Sequence, residues 1–309
     1  MPSIKPPLVV IVGPTAVGKT EIAIELAERL NGEIVSADSR LFYRGMDIGT
    51  AKPGPAERAR VRHHLIDVAD PDETWSLVEF QRAAALAIAD IQQRQRLPFL
   101  VGGSGQYIRA VCEGWSAPPQ APDPQMRRAL EAWAQEIGAF ELHVRLARLD
   151  PQAAAQIDWR NLRRTVRALE VILSTGKRFS EQRQKGETLY RTLVVGLKRP
   201  RPELYDRIDA RIDAMLAAGL LDEVRGLLKM GYSPTLPSLS AIGYYEMIAY
   251  LHGMVTMDEA VMLMKRNTRI FVRRQANWFK EDDPGIAWYQ VKPGIVTELC
   301  EIIQGFKTS

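Results

Sequence analysis

The segment Gly13-Pro-Thr-Ala-Val-Gly-Lys-Thr20 has the spacing G-x-x-x-x-G-K-[ST] of a phosphate-binding loop. Where such a loop opens a helix, backbone N–H groups and the helix dipole favour a bound phosphate. Lys19 supplies a point charge for the phosphate oxygens, and the Thr20 hydroxyl is placed to help hold Mg²⁺. The whole run, Gly13, Pro14, Thr15, Ala16, Val17, Gly18, Lys19 and Thr20, is therefore expected to bind a phosphate chain. Asp38 follows a β-branched stretch in Ser36-Ala-Asp-Ser-Arg-Leu-Phe-Tyr43, and strand ends face the ligand crevice of an open parallel sheet. It is a candidate general base or Mg²⁺ ligand, with a helix N-cap as the ordinary alternative. Val101-Gly-Gly-Ser-Gly105 stands where a triphosphatase would place a Mg²⁺-holding Asp. Its glycines admit a substrate to the backbone, and Ser104 offers a hydroxyl. Arg207 and Arg211, four apart, either clamp a diphosphate or pair with Glu203 and Asp209. His63-His64 has no third ligand at helical spacing, so no metal site is expected there.

These residues need elements to position them. Leu8–Val12 reads as a buried parallel strand, Thr20–Leu30 as a helix stopped by Asn31-Gly32, and 33–37 as a second strand. Leu77–Gln95 is helical, and Phe99–Val101 is a third strand. This is the alternation of a doubly wound α/β sheet. It breaks at Pro118, Pro119, Pro122 and Pro124, a stiff connector. From Gln125 to about Gly176 the pattern is helical throughout, before Leu193–Leu197 returns as a strand. One long amphipathic helix is predicted over 206–229, and two more near 240–252 and 256–280. The fold class is thus α/β: a P-loop-type parallel sheet core flanked by helices, with an all-helical insertion domain. The expected organisation is 1–114 as the first part of the core, 115–190 as the insertion, and 191–309 as the returning strand and C-terminal helices.

The chain has 309 residues, 46% hydrophobic and 25% charged, with a net charge of +4. This composition excludes a disordered, fibrous or disulfide-scaffold protein. No apolar run approaches the roughly 20 residues of a membrane span or resembles a signal segment, so a cytoplasmic protein with reduced Cys112 and Cys300 is expected. The charge is uneven. Residues 158–191 carry nine Lys/Arg against four Asp/Glu, and 265–280 carry six against none. Arg160, Arg163, Arg164 and Arg167 form one stripe, and Lys265, Arg266, Arg269, Arg273 and Arg274 another. Two such stretches point to a polyanion partner, the alternative being solvated helix faces.

These motifs, in this order, resemble the tRNA dimethylallyltransferase (tRNA isopentenyltransferase) family. The resemblance runs through the phosphate loop, Asp38 to Tyr43, Gly45-Met-Asp-Ile-Gly-Thr-Ala-Lys-Pro53, and Gly102-Gly-Ser-Gly105. It continues through Arg164 to Glu170, Ala241 to Glu246, and Arg273-Arg-Gln-Ala-Asn-Trp278. Arg stands at 40 and 163 where members often have Gln, and Ser at 104 where they often have Thr. The resemblance implies transfer of a dimethylallyl group from dimethylallyl diphosphate to N6 of the adenosine at tRNA position 37, with Mg²⁺. Asp38 would be the base, with Lys19, Thr20 and Ser104 also catalytic. Arg207 and Arg211 would join the loop in holding the diphosphate. Contacts to the tRNA are implied for Asp38, Ser39, Arg40, Leu41 and Ser104, and for Arg163, Arg164, Thr165, Val166 and Arg167 on the insertion. Ser240, Ala241, Ile242, Gly243, Tyr244, Tyr245, Arg273, Arg274, Gln275, Trp278 and Lys280 complete that set. The insertion would grip the anticodon stem-loop, and the chain is expected to act as a monomer with no membrane partner. A small-molecule kinase and an RNA-stimulated ATPase or binding module are the competing readings. The kinase leaves the 265–280 run unexplained.

Overall fold

The computed structural model describes residues 5–115, 123–182 and 186–308. The connector expected at Pro118, Pro119 and Pro122 lies outside the described residues. The chain forms two compact units, Met1–Cys112 with Thr188–Ser309, and Glu113–Glu187.

The first unit is built on a six-stranded parallel sheet. Its strands are β1 (Pro7–Val12), β2 (Gly32–Ser36), β3 (His63–His64), β4 (Leu97–Val101), β5 (Arg191–Lys198) and β6 (Ala287–Gln290), in the order β3-β2-β4-β1-β5-β6. The central β1 pairs with β4 on one side and β5 on the other. Its side chains alternate between two cores: Val9 and Ile11 enter one, Leu8, Val10 and Val12 the other. Both faces are covered, which is why the run is continuously apolar. The strand predicted third is therefore the fourth. His63–His64 is too short for a periodic signal, and β6 is a half-exposed edge strand. Neither was expected.

Helix Lys19–Arg29 follows Gly18, whose φ of 105° suits glycine, and buries Ile22, Ala23 and Leu26. Helix Leu77–Gln93 starts with a reciprocal cap: the Glu79 N–H donates to the Ser76 hydroxyl, and the Ser76 N–H to the Glu79 carboxylate. The helix expected over 206–229 is two, Arg201–Ala217 and Leu220–Lys229. Gly219, at φ 96°, breaks it. The apolar spacing continues across the break, so periodicity alone conceals it. The later helices are Tyr244–Leu251 and Met257–Ala276, the second ending four residues earlier than predicted.

The second unit is helical: Pro124–Ile137, Ala139–Leu149, Pro151–Gln156, Leu162–Thr175 and a short Phe179–Gln182. Asp123-Pro124 and Asp150-Pro151 open two of these in the same way. Each Asp accepts backbone N–H bonds from the first turn, and each Pro takes a position that needs no N–H. Leu130, Leu142, Leu146, Val166 and Leu169 form its core. The buried Glu170 carboxylate accepts from Asp123 N (2.6 Å), Arg127 (3.0 Å) and Arg167 (2.8 Å). Among the described residues, no helix is long and apolar enough to cross a membrane, and Cys300 is a buried thiol.

One charge sits inside the sheet. Glu33 of β2 is fully buried, and its carboxylate meets His64 (2.7 Å), both amino nitrogens of Arg94, and Arg96 (3.2 Å). Burial pushes its pKa up, but the hydrogen bonds from Arg94 and His64 outweigh this and hold it at about 2. The folded value lies below the ordinary 4.5, so the stabilisation is complete above 4.5 and is lost as pH falls toward 2. Glu33→Gln is expected to destabilise the protein by about 3 kcal/mol near neutrality, by stranding its cationic partners. Thermal melts across the acid range should show the gap between variant and wild type closing as pH falls. A gap that stays constant would contradict this account.

Candidate active site

The carboxyl ends of four neighbouring strands supply the site. The phosphate loop follows β1, Asp38 lies two residues past β2, Gly102–Ser104 follow β4, and Arg199 follows β5. Gly13, at φ 144°, must be glycine, because a Cβ there would sit 2.5 Å from the Leu197 carbonyl oxygen on β5.

The loop's carbonyls are taken by cations. Lys19 Nζ donates to Gly13 O (2.9 Å) and Pro14 O (2.8 Å). Arg207 Nε donates to Ala16 O (2.8 Å), and Arg199 Nε to Val17 O (2.9 Å). On the opposite side, Gln275 accepts the Thr15 N–H at Oε1 (2.9 Å) and donates from Nε2 to Gly103 O (3.2 Å). Gln275 is buried and comes from the last turn of helix Met257–Ala276. It was expected among the tRNA contacts; its amide is instead spent tying the loop to the end of β4.

Asp38 faces this cationic group. Its Oδ1 accepts from Arg40 N (3.0 Å) and its carbonyl from Leu41 N (3.2 Å). It therefore caps a turn, with no helix following, and the N-cap alternative falls. Burial lowers the Lys19 pKa, the Asp38 charge raises it, Arg211 lowers it again, and the result is about 8. Arg211 is likewise pushed down by burial and up by Asp38. The ends of β2 and β4 are joined: Ser104 N donates to Ala37 O (3.4 Å), and Ser39 N to Ser104 Oγ (3.4 Å). A Cβ on Gly102 would lie 2.3 Å from Ala37 O, so the strands could not close with any other residue there.

The two arginines of the expected clamp separate. Arg207 holds the loop at Ala16, while Arg211 donates to Thr50 O (3.4 Å). Neither pairs with Glu203 or Asp209. Glu203 binds Arg199, and Asp209 binds Arg269. Arg199 was missed by sequence reasoning, although its place directly after a returning strand was a signal.

The segment Gly45–Pro53 is anchored beside them. The Glu223 carboxylate accepts N–H bonds from Asp47 (3.0 Å), Ile48 (2.7 Å) and Gly49 (3.1 Å), and the Tyr244 hydroxyl (2.5 Å). Lys52, almost fully buried, bridges Asp47 and Asp67, each at 2.6 Å. Tyr244 is therefore an internal residue and not the tRNA contact expected; Tyr245 beside it is exposed. Arg40 donates to Pro237 O and Ser238 O, both at 3.0 Å, which brings residues 38–41 beside 237–240. Ser240 is exposed, Ile242 and Leu41 are partly so, and Ala241 and Gly243 are buried. Trp278 is half-buried against Gly105.

The two basic stretches also divide. On the late helix, Lys265 pairs with Asp213 (2.8 Å) and Arg269 with Asp209 (2.7 Å), so these two are not the phosphate contacts expected. Arg273, Arg274 and Lys280 are exposed. In the insertion unit, Arg163 and Arg164 are exposed, Arg167 binds Glu170, and Thr165 and Val166 are buried in the helical core. Among the described residues, no group of three His, Cys, Asp or Glu could cage a metal ion.

A loop shaped for phosphate, facing a carboxylate on a parallel sheet, places this chain in the class of phosphate-loop α/β proteins. Comparison with known proteins takes this further. The family model described as IPP transferase matches residues 41–282, which leaves the phosphate loop as an independent observation. The chain is 58% identical over 274 residues to the tRNA dimethylallyltransferase of a Roseiflexus species, covering 89% of this chain and 90% of that protein. It is 52% identical to that of Chloroflexus aurantiacus, covering 88% and 92%. Among solved structures, the tRNA isopentenylpyrophosphate transferase of Bacillus halodurans matches with a TM-score of 0.73 at 43% identity, covering 97% of this chain and 96% of that one. A eukaryotic dimethylallyltransferase acting on tRNA matches with a TM-score of 0.80 at 25% identity, covering 97% and 77%. The chain belongs to the IPP transferase family.

Two outcomes follow from the loop geometry. With Lys19 at about 8, its ammonium is complete below that value and lost above it. Affinity for inorganic diphosphate should therefore fall as pH rises through 8, and Lys19→Met should remove that part of the profile; calorimetric titration of both proteins checks this. Gln275→Leu cannot accept the Thr15 N–H. It is expected to weaken diphosphate binding about tenfold, the low end of the effect of an unsatisfied buried donor. Retained affinity in that variant would show that the loop holds its shape without the tie.

Proposed function

We propose that this protein transfers the dimethylallyl group of dimethylallyl diphosphate to N6 of adenosine at tRNA position 37, next to the anticodon, releasing diphosphate. One observation carries the reading: the phosphate loop faces Asp38, while the neighbouring strand end carries Gly102-Gly-Ser104 and not a triphosphatase carboxylate. The names of the relatives and their coverage of the chain support it. A kinase would need a site for ATP and an acceptor, and it gives no use to the exposed cations at 273–280.

The chemistry follows from the groups present. The adenine N6 lone pair is delocalised into the ring, so the amine is a poor nucleophile. As it attacks C1 of the prenyl group, the C1–O bond breaks and its electron pair leaves with the diphosphate. Asp38 takes the N6 proton. Charge grows on the departing diphosphate, and Lys19 with the loop N–H groups stabilises it more in the transition state than in the ground state. Ser104, bonded to Ser39, would position the adenine beside Asp38. The base must leave its stack to arrive there.

Thr20 is exposed at the helix start, a hard oxygen donor suited to Mg²⁺ that completes its shell with substrate phosphates and water. Bound there, Mg²⁺ would neutralise phosphate charge. In this reading Ser39, Leu41, Ser240, Ile242, Tyr245, Arg273, Arg274 and Lys280 contact the tRNA around the site. The insertion unit grips the anticodon stem-loop through Arg163 and Arg164. Arg207 and Arg211 support the diphosphate, the first through the loop and the second from beside Asp38. The protein would act as a monomer in the cytoplasm.

The deciding experiment incubates unmodified tRNA with dimethylallyl diphosphate and Mg²⁺ and analyses the nucleosides by mass. One five-carbon unit on adenosine is expected; transfer of phosphate from ATP with no prenyl gain would reject the reading. Asp38→Asn should lower the single-turnover rate by roughly 10²–10⁴-fold, the usual contribution of a general base, while diphosphate still binds. A near-normal rate in this variant would mean that Asp38 only positions the adenine.

A further inference from the structure

The insertion unit carries a surface group with no part in its packing. Phe140, in the first turn of helix Ala139–Leu149, is 54% exposed, and Trp159, in the turn before helix Leu162–Thr175, is 38% exposed. Neither belongs to the Leu142, Leu146 and Val166 core. Their rings meet edge to face with centroids 5.7 Å apart. The Arg160 guanidinium lies 4.8 Å over the Trp159 ring, a cation–π contact that orients the indole. Arg160 is itself well exposed and only loosely held, 3.7 Å from Asp158. Arg163 and Arg164 are exposed on the first helical turn immediately after.

Singly scattered exposed apolar residues need no explanation. Here two large rings stand together at the surface, one under the Arg160 guanidinium, at the positive end of the helix whose first turn carries Arg163 and Arg164. The charge selects a polyanion, and the rings select a polyanion with accessible π faces. A paired stem hides its base faces; an unpaired loop presents them.

We propose that Phe140 and Trp159 form a stacking platform for unpaired bases of the RNA substrate, with Arg160, Arg163 and Arg164 on the flanking phosphates. This rests on the tRNA reading above and deepens it. The insertion would then sense single-stranded character in the loop as well as backbone charge. Stacking is tolerant of base identity, so the platform discriminates loop from stem rather than one sequence from another.

The test measures binding of a short hairpin RNA with an unpaired loop, and of a fully paired duplex of equal length, across a salt series. Trp159→Ala should weaken hairpin binding roughly tenfold at every salt concentration, leave the salt slope unchanged, and leave duplex binding untouched. Trp159→Phe keeps a stacking face and should restore most of the affinity. Arg163→Ala with Arg164→Ala should instead flatten the salt slope, by about 0.7 for each phosphate that is no longer neutralised. Unchanged hairpin affinity in Trp159→Ala, or an equal loss on hairpin and duplex, overturns the platform. Prenyl transfer by the wild-type protein separates the two readings. If tRNA is modified while Trp159→Ala binds normally, only the platform fails. If Trp159 supports hairpin binding but no prenyl transfer occurs, the platform holds and the enzymatic reading fails.

Discussion

A phosphate-binding loop needs one fixed shape, and that requires the backbone groups it does not turn toward an anion to be held elsewhere. In this protein the requirement is met by side chains from distant segments. Lys19 takes the carbonyls of Gly13 and Pro14, Arg207 that of Ala16 and Arg199 that of Val17. Gln275 holds the Thr15 N–H from the far side. Arg199 follows β5, and Gln275 also grips Gly103 after β4. The strand order β4-β1-β5 is thus a condition for the shape of the loop.

The same tethers set the electrostatics. Lys19, Arg199, Arg207 and Arg211 gather around the loop, and Asp38 is the carboxylate whose field reaches Lys19 and Arg211. The depressed pKa of Lys19 reflects the cost of burying that ammonium, which the Asp38 charge offsets only in part. In the proposed reaction a bound diphosphate would relieve this, and still more so as negative charge grows on it. Substrate binding and leaving-group departure would thereby draw on one preorganised field. The neighbouring Gly45–Pro53 segment is kept in place by a different device, a carboxylate from Glu223 in a cradle of three successive N–H groups.

What could be seen in the sequence was local. The phosphate loop, Asp38 and the central strands each declare themselves within a dozen residues, and the insertion through a helical pattern from Gln125 to about Gly176. What escaped depends on partners far along the chain. Gln275 reads as one more polar residue on a basic helix until Thr15, 260 positions earlier, is placed against it. Lys265 and Arg269 look like RNA contacts because Asp209 and Asp213 belong to another helix. The break at Gly219 was hidden by apolar spacing that stays in phase across it. The residues Tyr244, Thr165 and Val166 lie within motifs shared with the family, yet their side chains serve packing.

The tie between Thr15 and Gln275 bears on how this chain is made. The loop lies between β1 and the helix Lys19–Arg29, whereas β5 is at Arg191–Lys198 and Gln275 some eighty residues beyond it. Residues before Arg191 hold neither the strand that pairs with β1 on that side nor the Arg199 and Gln275 side chains that bind Val17 and Thr15. The tie from the loop to the end of β4 forms only once the helix Met257–Ala276 is in place.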